Sequence, residues 1–292
     1  DSVGVSFVGS SETGARVYAE AAAEGKRVQV LGEAKNHALV MADCALERTA
    51  AGIINAFCGC AGERCMALPV VVAEEPVADA LVRLLREKAA HLKLGPAYDK
   101  NTTLGPLVSA SRRKNVLDWI DRGIREGAEL VLDGRGISVP GYENGFFLGP
   151  TLFDHVTPGM SIGEQEIFGP VLCIKRVRDF EEGLSVMNAN PFANGSVIYT
   201  QNGRYAREFT RRTHGGMVGV NVGIPVPVCS FGFTGHKRSF FGDLHTMGTD
   251  GVRFYTEKKT VTSTWFEDGH SGTVDTWDGT LGSLSENSGK RN

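Results

Sequence analysis

The chain has 292 residues, of which 41% are apolar and 22% charged, with a net charge of −3. That balance is ordinary for a globular protein, and without a basic excess to neutralise a phosphate backbone it argues against a nucleic-acid partner. No apolar run approaches the roughly 18 residues of a membrane span, and six cysteines are too sparse for a disulfide scaffold, so a reduced, intracellular setting is expected.

The opening residues lack a basic stretch followed by an apolar one, and they read as structure, with no targeting segment. Val3 to Ser10 is apolar and β-branched, which predicts a buried strand. The following "SSETGARVYAEAAAEG" predicts a helix entered through Ser10, Ser11 and Glu12 and stopped by Gly25. Arg27 to Gly32 is a second short strand, so a β-α-β unit opens the chain. It looks like the second half of a larger sheet. After the strand "ALPVVVA", the run "EPVADALVRLLREKAAHL" places Val77, Leu81, Leu84, Leu85 and Leu92 on one helical face, with Pro76 in its first turn. A further helix is predicted over residues 109–126, stopped by Gly127. "AELVLDG", "GPVLCIKRV", "GSVIYTQ" and the Gly-rich "GGMVGVNVG" read as strands. "RFYTEKKTVTSTWF" alternates polar and apolar residues as an exposed or edge strand does. The last 26 residues are polar and rich in Gly and Ser, a composition that predicts disorder.

Three of the six cysteines fall in "NAFCGCAGERCMA", as C-x-C-x4-C. Tetrahedral zinc sites recruit two spaced pairs; no second pair follows here, so no metal is expected. Cys58 and Cys60 read as small buried core residues. Cys65 follows Arg64, and an adjacent cation can favour the thiolate. On these grounds alone Cys65 stands level between nucleophile and core residue.

The wider text resembles the aldehyde dehydrogenase superfamily. "FVGSSETG", "LGEAKNH" and "GCAGERC" occur in order, followed by "GPLVS" at 105, "GFFLGPTLF" at 145, "EQEIFGPVL" at 164 and the terminal "YTEKKTVT". Within it, "KNH", "VNVGIPVP" and "SFFGDLH" are similar to the CoA-acylating methylmalonate-semialdehyde dehydrogenases. The resemblance implies an α/β fold of that type: a partial nucleotide-binding sheet, a complete catalytic α/β domain and an oligomerisation strand. The implied boundaries are 1–33 for the C-terminal part of the NAD-binding domain, 34–233 for the catalytic domain, 234–250 for a return to the first domain, 251–266 for the oligomerisation strand and 267–292 for the tail. It implies NAD-dependent oxidation of methylmalonate or malonate semialdehyde, with decarboxylation and transfer of the acyl group to CoA. The products are propionyl-CoA or acetyl-CoA, a step of valine and inositol catabolism. A homo-oligomer, dimer or tetramer, is implied, cytoplasmic in bacteria or in the mitochondrial matrix in eukaryotes.

Carried over position by position, the resemblance implies Cys65 as the catalytic thiol and Arg64 as the holder of the substrate carboxylate. It places Gly9 and Ser10 at the cofactor pyrophosphate, Gly32 near the nicotinamide, and Glu166 and Phe168 at the nicotinamide ribose. A helix N-terminus at Ser10 suits a phosphate, although Ser10 also reads as a plain N-cap, and Arg64 also reads as a surface or capping arginine. Val30 stands where hydrolytic relatives carry a glutamate base. Water needs such help, whereas a thiol with a pKa of about 8.5 needs less, so Val30 argues for transfer to CoA. Glu33 replaces a glycine, and His236 and Arg238 replace the usual Trp and Gly. The family chain has about 500 residues, enough to split into domains, so an impaired enzyme is expected of the chain alone. The competing readings are a hydrolytic aldehyde dehydrogenase and a catalytically inactive assembly or binding relative.

Overall fold

The structure, a computed structural model, describes residues 2–263 and 265. The described residues divide into two units, one ending at Thr256 and one beginning at Glu257. In the second unit, residues 257–263 and 265 lie outside any helix or strand. The tail 267–292, expected to be disordered, lies outside the described residues.

The first unit opens with strand β1 (Gly4–Val8), helix α1 (Ser11–Ala23) and strand β2 (Arg27–Leu31), with β1 and β2 parallel. Ser10 caps α1, its Oγ accepting the Thr13 amide and satisfying one of the donors a helix leaves open. Gly14 lets α1 lie flush on the sheet, since a Cβ there would come within 2.4 Å of Val30 Cγ1. The elements then run β3 (His37–Val40), α2 (Leu46–Cys58), β4 (Val70–Glu74), α3 (Glu75–Ala90), α4 (Ala110–Arg125), β5 (Glu129–Leu132) and β6 (Thr151–Asp154). They continue with α5 (Ser161–Glu164), β7 (Val171–Val177), α6 (Phe180–Ala189), β8 (Phe192–Ala193), β9 (Gly195–Tyr199), α7 (Gly203–Arg212), β10 (Met217–Val220), β11 (His236–Lys237), β12 (Phe240–Phe241) and α8 (Gly248–Tyr255).

Seven strands form one sheet in the order β10-β9-β3-β4-β7-β6-β5, parallel except for the antiparallel β5–β6 edge pair. Helices α2, α3 and α6 pack on it. Cover on both faces explains why the inner strands are apolar throughout: every residue of β3 is buried, as are Val70 to Ala73 of β4. The smaller sheet has the order β1-β2-β12, with Phe240 and Phe241 returning antiparallel beside Leu31 and Val30.

The strand predicted over residues 253–266 is not formed among the described residues. Residues 253–255 close helix α8, and residues 256–263 join no ladder among the described residues. Cys58 is buried as expected, but Cys60 is exposed and sits in the left-handed region at φ 55°.

Candidate active site

Three consecutive residues after α2, Cys60, Ala61 and Gly62, have φ of 55°, 54° and 74°. For the first two, left-handed backbone costs roughly 1–2 kcal/mol each. This turn throws Glu63, Arg64 and Cys65 back toward the sheet. Gly62 is required by its surroundings as well, because a Cβ there would stand 2.2 Å from the Gly169 carbonyl oxygen. That close approach brings the segment Glu166–Gly169 against the cysteine loop.

Side-chain amides then fix the loop. Asn36 Nδ2 donates to the carbonyls of Cys65 at 2.9 Å and Ala67 at 2.7 Å, while its Oδ1 accepts the Gly195 amide at 2.8 Å. Asn194 Nδ2 adds a second bond to the Cys65 carbonyl at 3.1 Å. Glu63 accepts the Val108 amide at 3.0 Å, which ties the "GPLVS" turn to the same loop. Neither asparagine was singled out as a site residue from sequence. Their role depends on contacts as distant as 159 positions, which local sequence does not reveal.

Cys65 opens onto a cavity of about 610 Å³ lined by Val8, Gly9, Ser10, Gly32, Glu33, Glu63, Val108, Arg112, Glu166 and Phe168. The proposed cofactor residues Gly9, Ser10, Gly32, Glu166 and Phe168 therefore share one space with the thiol. Phe168 is itself left-handed, at φ 58°. Arg112 holds it there through bonds to the Ile167 and Phe168 carbonyls, with the guanidinium 5.3 Å from the ring centre. Arg64 is placed differently. Its Nη2 donates to the carbonyls of Asn55 and Ala56 at the end of α2, so it caps that helix. It reaches only a narrow cleft beside Cys65, and the cation lining the large cavity is Arg112.

The electrostatics differ from the simple expectation of an arginine-activated thiol. Burial pushes the Cys65 thiol above its usual range, the Glu166 carboxylate adds to this, and the amides of Cys65 and Met66 together with Arg64 only partly offset it. Burial likewise lifts Glu166 to about 7, against the pull of the Ala34 amide that it accepts at 3.0 Å. Glu33 raises it further. Among the described residues no group of three His, Cys, Asp or Glu side chains is placed to hold a metal, and no helix is long and apolar enough to cross a membrane.

The reading of Val30 needs correction. Its side chain is fully buried against α1, under Gly14, and does not line the cavity. His236 and Arg238 are accounted for by local packing. The His236 ring bonds the His214 carbonyl, and the Arg238 guanidinium lies over Phe192.

The α/β architecture, with the cysteine loop and the Gly9–Ser10 strand-to-helix turn lining one cavity, points to the class. Residues 1–261 match the sequence profile of the aldehyde dehydrogenase family, and the chain belongs to that family. More particularly, it is 49% identical over 262 residues to malonate-semialdehyde dehydrogenase 1 of Bacillus licheniformis, covering 90% of this chain and 54% of that protein. It is 50% identical over 262 residues to malonate-semialdehyde dehydrogenase of Pseudomonas aeruginosa, covering 89% and 53%. A Sinorhizobium meliloti 1021 structure, described as a methylmalonate-semialdehyde dehydrogenase complexed with NAD, superposes with a TM-score of 0.89 at 47% identity. It covers 91% of this chain and 55% of that one. The chain thus spans about half the length of the relatives it matches.

Proposed function

We propose that this chain carries the catalytic thiol and nicotinamide end of an NAD-dependent semialdehyde dehydrogenase that oxidises malonate or methylmalonate semialdehyde and transfers the acyl group to CoA. The observation that carries this reading is that Gly9, Ser10, Gly32, Glu166 and Phe168 line one cavity with Cys65. The nicotinamide end fits that cavity: Gly32 leaves the wall free of a side chain, the Phe168 ring offers an apolar face, and Glu166 spends one oxygen on Ala34 and would hold ribose hydroxyls with the other. NAD, when bound, accepts the hydride.

The remaining steps belong to the protein. The Cys65 thiolate adds to the aldehyde carbon, and the developing oxyanion takes the Cys65 amide as a donor. Loss of hydride leaves a thioacyl group on Cys65. The β-carboxylate then departs as carbon dioxide, and the resulting enolate takes a proton. A CoA thiolate displaces the acyl group and regenerates the Cys65 thiolate. With a pKa of about 7, Glu166 is suited to move protons near neutrality. Transfer to a thiol is part of this reading because a thiol is partly ionised unaided, whereas water needs a base to deprotonate it. Arg112, the cation of the cavity, is the group we assign to the substrate carboxylate. An intracellular homo-oligomer remains part of this proposal.

The assay is NADH formation from malonate semialdehyde with and without CoA, with products separated by chromatography, for the wild type and Cys65→Ser. Acetyl-CoA formation that depends on Cys65 is expected. Release of free acid without CoA, as fast as CoA-dependent turnover, would rule out the acylating assignment.

A further inference from the structure

We propose that Glu33 is an internal anion that occupies the phosphate end of this cavity and sets how weakly the chain accepts phosphate-bearing ligands. The inference rests on the reading of the α1 N-terminus as the place for the dinucleotide's phosphates. Ser11 is the first residue of the thirteen-residue helix α1, and its amide is one of the donors a helix leaves unpaired. Such donors, with the positive end of the helix dipole, are what a phosphate would use. Here Glu33 Oε2 already accepts the Ser11 amide at 3.1 Å, and Ser10 Oγ accepts that of Thr13.

The main chain delivers the carboxylate to this point. The Glu33 amide donates to Ser11 Oγ at 2.9 Å, its carbonyl accepts from Ser239 Oγ at 2.7 Å, and Ser11 Oγ donates to the Arg238 carbonyl at 2.8 Å. Gly32 makes the close approach possible, because a Cβ there would lie 2.6 Å from Ser11 Oγ and 2.7 Å from the Arg238 carbonyl oxygen. With its backbone stapled on both sides, Glu33 can leave Ser11 only by rotating its side chain. The cavity it would rotate into already holds Glu63 and Glu166 against one cation, Arg112. A phosphate arriving at α1 therefore meets a carboxylate where it needs open N–H groups, and displacing that carboxylate crowds like charges.

Calorimetric titration of the 292-residue chain with inorganic pyrophosphate and, separately, with NAD tests this, using the wild type, Glu33→Gln and Glu33→Gly. Glutamine keeps the shape of the side chain and an acceptor for Ser11, so the fold is retained while the charge is lost. Both variants should bind pyrophosphate at least about tenfold more tightly than the wild type. No gain in either variant overturns the proposal. A gain in Glu33→Gly alone also overturns it, since bulk and not charge would then be the obstacle. A gain for pyrophosphate in both variants supports the role of Glu33; if NAD shows no parallel gain, the dinucleotide reading of the cavity fails while that role stands.

Discussion

Asn36, at the entry to β3, holds the main-chain carbonyl of Cys65 at 2.9 Å from 29 positions away. The same side chain bonds Ala67 and Gly195, so one buried amide joins the thiol loop to two strands of the large sheet. Asn36→Ala would leave the Ala67 carbonyl and Gly195 amide without partners. At roughly 1–3 kcal/mol for each buried group left unsatisfied, the loss should be about 2–6 kcal/mol. Urea denaturation measures it, and an unchanged midpoint would show that the asparagine does not hold the loop.

Glu166 gives a pH signature. Its folded-state pKa is lifted from 4.5 to about 7, so the folded protein binds this proton more tightly than the unfolded chain. The associated stability is fully present below about pH 4.5 and is lost as pH rises through about 7, amounting to about 3 kcal/mol. Denaturation midpoints of the wild type should fall across that window relative to Glu166→Gln. Parallel curves would refute the shift. Because the Glu166 charge also opposes ionisation of Cys65, Glu166→Gln should alkylate faster with iodoacetamide at pH 8.

Val30→Glu is expected to damage the fold without creating a base. The carboxylate would be buried between β2 and α1 with no cation facing it, at a cost of about 3 kcal/mol or more. Thermal unfolding reports this directly. A well-folded variant with new CoA-independent hydrolysis would mean that position 30 does face the thiol.

Arg64 and Arg112 can be separated without substrate by comparing how Cys65 reacts with anionic iodoacetate and neutral iodoacetamide. Arg112→Gln should lower the iodoacetate-to-iodoacetamide rate ratio by about threefold or more, as removal of a cation from an acidic cavity does. Arg64→Leu, which uncaps α2, should lower the melting temperature and leave the ratio nearly unchanged. The opposite pattern would return the carboxylate-holding role to Arg64.

Features that were legible in the sequence are those that chemistry writes locally. The apolar face of α3, the cap Ser10 and the β-branched inner strands all follow from spacing and residue type. Helix α2 is hard to read from the sequence, since its small residues, Ala50, Ala51 and Gly52, give a weak periodic signal. Residues 253–255, which alternation assigns to a strand, close helix α8 instead, because alternation over a few residues does not separate a strand from the last turn of a helix. Within the site, the resemblance picked out Cys65, Ser10, Gly32, Glu166 and Phe168, which share the cavity. It could not reveal that Arg64 turns toward α2, that Val30 faces α1, or that Arg112 supports a left-handed Phe168. Each of these depends on side-chain direction in the assembled fold.

The bonds that shape the cavity also have a kinetic meaning. Ser11 meets Arg238 across 227 positions, Ala34 meets Glu166 across 132, and Asn194 meets Cys65 across 129. Contacts between such distant segments form only after the intervening chain has been gathered, and loop closure makes them slow. The helices and the β1–α1–β2 unit draw on local sequence, whereas the pocket around Cys65 is expected to form only once the distant segments have been gathered. Its thiol chemistry is therefore a clock for the completion of folding, separate from the gain of helix content that precedes it.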